Sequence, residues 1–141
     1  MGQDNCDRCH GELQAHEGLR RSVTLCVLCH TAGAEDQNDP LLGGGTPRVS
    51  VDSRVLFHKV HNGKHLPSVV GIGVRPSGLL NYSLTPVPYL VATAEGVLRD
   101  YSSVGFPVFP TRAYPMLKDY LYSSLTPAEQ ARDDLVRTGI T

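Results

Sequence analysis

The spacing of hydrophobic residues along the chain predicts its clearest helix over residues 51–63. Apolar side chains recur there at the interval of a helical turn, at Val55, Leu56 and Val60. Ser50 or Asp52 precedes them as a candidate N-cap. His58 and His61 stand three residues apart on this helix, so their side chains are predicted to project from nearly the same side.

The rest of the chain shows shorter and less regular patterns. Residues 33–50 are rich in Gly, Pro and Asp and are predicted to form an irregular loop. Residues 64–112 contain short apolar runs interrupted by prolines, which predicts extended loops and at most a short hairpin. Residues 113–141 are predicted to hold the C-terminal helices, because Thr126 and Glu129 have the spacing of a capping box.

Composition and charge narrow the class of protein. The chain has 14 Gly and 10 Pro among 141 residues, no Trp and only three Phe, so few long regular elements are expected. The 13 basic and 14 acidic residues balance, which gives no indication of binding to nucleic acid or to an anionic membrane. No apolar run approaches the roughly 18 residues of a membrane-spanning helix. No signal peptide is visible in the chain as given.

Residues 1–32 contain all the cysteines of the chain, arranged as two C-x-x-C pairs. They are Cys6, Cys9, Cys26 and Cys29. The spacing between the pairs alone falls within the range of a four-cysteine zinc ribbon. Each pair, however, is followed directly by a histidine, His10 or His30. C-x-x-C-H is the attachment signature of c-type haem, in which the two thiols form thioethers and the histidine binds iron.

Haem explains these residues better than the other chemistries of paired cysteines. Zinc knuckles usually have a small residue after the second cysteine, whereas both positions hold His here. A haem iron usually takes a second axial ligand, and a zinc site of four thiolates would have no use for the remaining histidines, His16, His58, His61 and His65. Thioredoxin-like chemistry needs a strand–helix alternation that residues 1–30 lack, and disulfides leave the two adjacent histidines unexplained. We therefore predict two covalently attached haem c groups, with a zinc ribbon as the rival.

The two predicted haems are large apolar macrocycles. They would form much of the hydrophobic core, for which the chain has few aromatic side chains. We accordingly predict a single dihaem cytochrome c domain over residues 1–141, with 1–32 as the haem-attachment segment and 51–63 as the His-bearing helix. The predicted fold class is a mostly irregular small multihaem cytochrome fold. It would have a few short α-helices and little or no β-sheet, organised around the two haems.

The order of these motifs resembles a known family. "CDRCHGELQAHEGLRRSVTLCVLCH", then "VLFHKVHNGKHLPSVVG", then "LRDYSSVGFPVFP" are similar to the outer-membrane multihaem c-type cytochromes of the decahaem OmcA/MtrC kind. Those proteins combine two C-x-x-C-H motifs, an L-x-x-H between them and a later pair of histidines followed by Leu-Pro. The resemblance extends from residue 6 to about residue 110, as a two-haem relative or a fragment.

The resemblance implies a role for each matching residue. It assigns the thioether bonds to Cys6, Cys9, Cys26 and Cys29. It assigns His10 and His30 as proximal iron ligands, and His16, His58 and His61 as candidate distal ligands. His65 falls outside the family pattern and is expected to lie on the surface. A further C-x-x-C-H usually follows in the family but does not follow here, so three candidate distal histidines are available to two haems.

The predicted function is electron transfer by bis-His-ligated haems within an extracellular or cell-envelope chain of carriers, without catalysis. Expected partners are other multihaem cytochromes or redox carriers, and a homo-oligomer or filament with haems stacked across subunits is a hypothesis. The expected location is periplasmic, cell-surface or extracellular. Two alternatives remain at this stage: a dihaem reductase or peroxidase with one open iron site, and a zinc-ribbon binding module.

Overall fold

A computed structural model of the chain describes residues 2–36, 48–93, 97–106 and 121–138. The chain divides into two compact units, each described separately below. The first consists of Met1–Phe57 with Val91–Arg99, and the second of His58–Leu90 with Asp100–Thr141. Within the described ranges, no helix has the length and hydrophobicity needed to cross a membrane. The single-domain organisation stays a prediction.

Two short helices in the first unit carry the cysteine motifs. Helix α1 spans Gln3–His10 and helix α2 spans Val23–Cys29. Helix α1 ends at Gly11, which takes a left-handed φ of 69° that a glycine adopts without steric cost. The side chain of Gln3 connects the helices, because its Oε1 accepts the Val23 N–H at 2.9 Å and satisfies a donor at the start of α2.

Residues 49–53 lie alongside residues 30–36 in an antiparallel direction. The N–H of Val51 donates to the carbonyl of Ala34 at 2.9 Å, and the N–H of Ser53 donates to the carbonyl of His30, also at 2.9 Å. These bonds place the segment that precedes the next helix directly beside the second cysteine motif. Most of the predicted loop 33–50 lies outside the described residues, which resume at residue 48.

Helix α3 spans Ser53–His61, within the predicted range 51–63. Asp52 is its N-cap: the carboxylate Oδ1 accepts the N–H of Arg54 at 2.9 Å and that of Val55 at 3.4 Å. The prediction that Asp52 could cap this helix is therefore confirmed. The division between the two units falls inside α3, between Phe57 and His58.

The second unit contains the small hydrophobic core of the described residues. Helix α4, Pro67–Val70, begins at a proline and ends at Gly71, and a hairpin of β1, Gly73–Val74, and β2, Leu80–Asn81, follows it. The strands are antiparallel, with Gly73 opposite Asn81 and Val74 opposite Leu80. The core cluster is formed by Val70, Ile72 and Tyr82, with Leu125 and Val136 packed against it.

A second two-stranded sheet pairs β3, Leu90–Ala92, with β4, Leu98–Asp100. The N–H of Tyr101 donates to the Tyr89 carbonyl and the N–H of Thr93 donates to the Val97 carbonyl, a pattern of antiparallel pairing. The predicted fold class, with little or no β-sheet, is therefore wrong. Pro76, Pro86 and Pro88 lie outside the strands of the two sheets, so the short apolar runs next to them remain able to pair.

Helix α5 spans Pro127–Thr138, and its N-terminus confirms the predicted capping box. The Glu129 carboxylate accepts the N–H of Thr126 at 2.8 Å, and the Thr126 hydroxyl accepts the N–H of Glu129 at 3.4 Å. In the same helix the buried Asp133 accepts the Tyr82 hydroxyl at 3.3 Å, which joins α5 to the core cluster. The rest of the predicted C-terminal region, residues 113–120 and 139–141, lies outside the described residues.

We expect the capping box to make the pKa of Glu129 report on the fold of α5. Hydrogen bonds from the Thr126 N–H and then from its hydroxyl lower the pKa of this carboxyl group. The ionised Glu129 carboxylate therefore contributes its full stabilisation of the folded protein above the ordinary glutamate pKa. This contribution is lost as the pH falls through the lowered pKa of the folded state. Thr126→Ala should destabilise the protein by about 1 kcal/mol and move the Glu129 pKa, followed by NMR, back towards its ordinary value. Thr126→Ser, which keeps the hydroxyl, should leave both quantities nearly unchanged, and equal effects of the two variants would contradict this account.

Candidate functional site

The two cysteine motifs have the same local geometry. Cys6 and Cys9 stand three positions apart in α1, and Cys26 and Cys29 stand three positions apart in α2. The thiols of each pair therefore project from one side of their helix. His10 is the last residue of α1, and His30 immediately follows α2. All four cysteines are free thiols, and the second cysteine of each pair is exposed. Each helix end thus presents two thiols and an imidazole from one short segment.

The arrangement does not resemble a zinc ribbon. Within the described ranges, which include every cysteine and histidine of the chain, no three His, Cys, Asp or Glu side chains converge as a metal site would require. A zinc ribbon needs four thiolates around one ion. Haem c needs only the two thiols and the histidine of a single motif, and both α1 and α2 provide that set locally.

The environment of the Cys26 thiol raises its pKa. Burial raises the pKa of the Cys26 thiol, and the nearby Cys6 and Cys29 raise it further, against a hydrogen bond to the backbone that lowers it. Its Sγ lies 3.5 Å from the Ser22 carbonyl, which can accept the S–H proton. Reactive and metal-ligating cysteines need the opposite, a lowered pKa. The environment of Cys26 therefore disfavours thioredoxin-like chemistry.

The unit that carries both motifs has an exposed apolar surface and almost no interior. Among its described residues, Ser53 is the only buried one, and no hydrophobic side chain is buried. Helix α2 is almost entirely apolar, yet Leu25 and Val27 are exposed and Leu28 is 70% exposed. Exposed apolar side chains grouped on one short helix suit contact with an apolar group. Free thiols beside it suit a large apolar group held by thioether bonds, so the residues present fit haem c.

His30 is held in a defined orientation by the backbone. Its Nδ1 lies 2.8 Å from the carbonyl oxygen of Val51, an acceptor, so Nδ1 must carry the proton and donate it. In a neutral imidazole this tautomer leaves the lone pair on Nε2. Metal-binding histidines typically donate their other ring N–H to such a partner. The contact with Val51 therefore leaves the lone pair of Nε2 of His30 available, and this nitrogen could hold a metal.

The histidine between the two motifs lies in a tight turn. His16 and Glu17 have positive φ angles of 50° and 58°, an uncommon conformation for residues other than glycine. The turn is closed by a bridge in which Ala15 and Arg20 exchange both backbone hydrogen bonds, at 2.9 and 3.1 Å. The turn brings the ring of His16 to a centroid distance of 6.1 Å from the ring of His30, with 34° between the ring planes.

The remaining histidines belong to the second unit. His58 is exposed on α3, and the ring of His61 is stacked on Phe106, with the centroids 4.7 Å apart and 8° between the planes. His65 lies in a short 3-10 helix, and its Nδ1 is 2.6 Å from the Leu135 carbonyl near the end of α5. The structure thus brings His16 close to one predicted proximal ligand.

Sequence reasoning missed several residues that build this site. The Val51 carbonyl contacts His30 through a backbone atom, which any residue type at position 51 would offer. The Gln3 side chain accepts the N–H of Val23, 20 residues away in sequence. Neither contact can be recognised from the order of residue types. The position of Arg21 in the turn is also set by the fold, because its Nε donates to the Gly18 carbonyl at 3.0 Å and its Nη1 pairs with Glu12 at 3.0 Å. These two bonds brace the turn that carries His16.

Comparison with known proteins agrees with the motifs. A family model described as outer membrane cytochrome MtrC/MtrF-like, domains II/IV, matches residues 1–84, more than half of the chain and the part that contains all four cysteines and all six histidines. No curated protein and no solved structure matches the chain. The match to the family model and the two C-x-x-C-H helices show that the chain belongs to the MtrC/MtrF-like family of outer-membrane cytochromes.

Proposed function

We propose that this chain is a dihaem c-type cytochrome that transfers electrons within a cell-surface chain of carriers. One observation carries the proposal: the first unit exposes apolar side chains beside four free thiols and buries no hydrophobic residue among those described. Such a unit lacks the buried apolar area that stabilises a domain of its size. Two covalently bound macrocycles would provide that area.

Each motif would hold its haem through residues of one helix. Cys6 and Cys9 are the proposed thioether anchors on α1, and Cys26 and Cys29 those on α2. When bound, haem supplies a one-electron iron couple whose potential depends mainly on its axial ligands. His10 and His30 are the proposed proximal ligands, and the distal ligands come from His16, His58 and His61. Imidazole on both sides of each iron favours a low potential.

The protein's part in electron transfer is to hold the iron ligands in place. The Val51 carbonyl keeps the proton of His30 on Nδ1, so the ring need not reorient when iron binds. Histidines on both sides of each iron would leave no position for a substrate, which would favour electron transfer over catalysis. Proposed partners are therefore other multihaem cytochromes or redox carriers at the outer surface of the cell, and self-association is a further proposal that the three candidate distal histidines support.

Ligand binding to the reduced, haem-loaded protein tests this function. We expect two haems per chain in a pyridine haemochrome assay, a low-spin oxidised absorption spectrum and no rapid binding of carbon monoxide or cyanide. A dihaem reductase or peroxidase would instead show a high-spin signal and bind carbon monoxide at one of its two irons. A colourless protein with one zinc per chain would show that the proposal is wrong and that the rival zinc ribbon is right.

A further inference from the structure

Side chains of Arg21 and Gln14 form hydrogen bonds across the turn that carries His16. The guanidinium of Arg21 connects the Gly18 carbonyl to the Glu12 carboxylate, and the amide of Gln14 donates to the same carboxylate at 3.0 Å. The ion pair is exposed, so it contributes little to the overall stability. Its effect is local: together with the Ala15–Arg20 bridge it restricts where the His16 ring can lie.

The distance between the rings of His16 and His30 matches that of two imidazoles sharing one metal ion. Imidazole nitrogens bind metal ions at about 2 Å, so two rings on opposite sides of one ion have centroids about 6 Å apart. The observed centroid distance is 6.1 Å. The 34° between the planes is compatible with this arrangement, because rings on a common metal axis can rotate about it.

Two further observations favour this pair. The orientation of His30 is set by Val51, which leaves Nε2 as the ligating nitrogen. His16 holds an uncommon left-handed backbone conformation, and such conformations are concentrated at functional sites.

We propose that His16 and His30 are the two axial ligands of the haem anchored at Cys26 and Cys29. The inference rests on the proposed function and adds to it the identity of one ligand pair. Each histidine would supply the lone pair of a neutral ring nitrogen to the iron. No electron is exchanged in this step. His58 and His61 then remain candidate distal ligands that this pair does not use.

Full-length variants that carry a single haem test the pairing. Cys6→Ala with Cys9→Ala removes the first attachment site and should leave one low-spin haem per chain. Adding His16→Ala should convert all of that haem to a high-spin form that binds carbon monoxide, and free imidazole should restore the low-spin spectrum. His65→Ala, the matched control, should change nothing in the spectrum.

The reciprocal background separates the possible outcomes. With Cys26→Ala and Cys29→Ala, the remaining haem should stay low-spin whether or not His16 is present. If His16→Ala changes the spin state only in this background, the pairing is wrong. If it changes the spin state in neither background, His16 is not a ligand.

A single-haem variant that fails to incorporate haem is replaced by His16→Met in the two-haem chain. Methionine should raise the potential of one haem out of two, and unchanged potentials would overturn the inference. Failure of the unmodified chain to bind haem would refute the proposed function itself.

Discussion

Changing both Cys26 and Cys29 to serine is expected to remove one of two covalently bound haems. The thioether bonds need both sulfur atoms, and serine keeps the size and polarity of the side chain but cannot form them. The haem content from a pyridine haemochrome assay should fall by half, and the mass of the intact chain should fall by one haem group. The structure supports this expectation because both thiols are free and lie on the same side of α2.

Two controls define this result. The corresponding change at Cys6 and Cys9 should remove the other haem, and the fourfold variant should be colourless. Thr24→Ala, on α2 but outside the motif, should keep both haems because the Thr24 hydroxyl bonds the neighbouring Ser22, at 2.7 Å, and not a cysteine or histidine among the described residues. Retention of two haems by the Cys26 and Cys29 variant would mean that this motif is not an attachment site.

Replacement of Gly71 by alanine is expected to destabilise the second unit strongly. Gly71 is buried at the end of α4 with a φ of 84°, and a Cβ there would meet the carbonyl oxygen of Leu84. The cost combines about 1–2 kcal/mol for a left-handed alanine with about 1–3 kcal/mol for overpacking. We therefore expect the free energy of unfolding of the haem-loaded protein, measured by denaturant titration, to fall by about 2–5 kcal/mol.

Gly78 offers a matched control for the backbone part of this cost. It has nearly the same φ, 83°, but no atom lies within 4 Å of the Cβ that an alanine would add. Gly78→Ala should therefore cost only about 1–2 kcal/mol. The difference between the two variants measures the close approach to Leu84. Equal destabilisation by both would show that Gly71 is required for its conformation alone.

The rival functions differ from the proposed one in the ligands they need. A zinc ribbon needs four converging thiolates, and no such cluster occurs among the described residues. A reductase or peroxidase needs one iron with an open axial position. The three candidate distal histidines exceed what two haems require, so an open iron position is not expected. Binding of carbon monoxide distinguishes a reductase or peroxidase from an electron-transfer cytochrome.

The sequence alone determined which cysteines and histidines form each local motif. Cysteine and histidine at fixed spacing act within a single helical turn, so Cys6, Cys9 and His10 have the same relationship in any fold that lets α1 form. The caps at Asp52 and Thr126 are equally local and were predictable for the same reason. The family followed from the order of such local motifs.

Contacts between distant residues were decided only by the tertiary structure. The pairing of β3 with β4 depends on backbone hydrogen bonds that residue types barely encode, which is why the prediction of little or no β-sheet was wrong. The contact of His30 with the Val51 carbonyl, 21 residues away in sequence, is equally invisible in a motif. So is the approach of His16 to His30, because it depends on a turn with two positive φ angles. Side-chain identity specifies which groups can bind iron, whereas the path of the backbone decides which two of them meet.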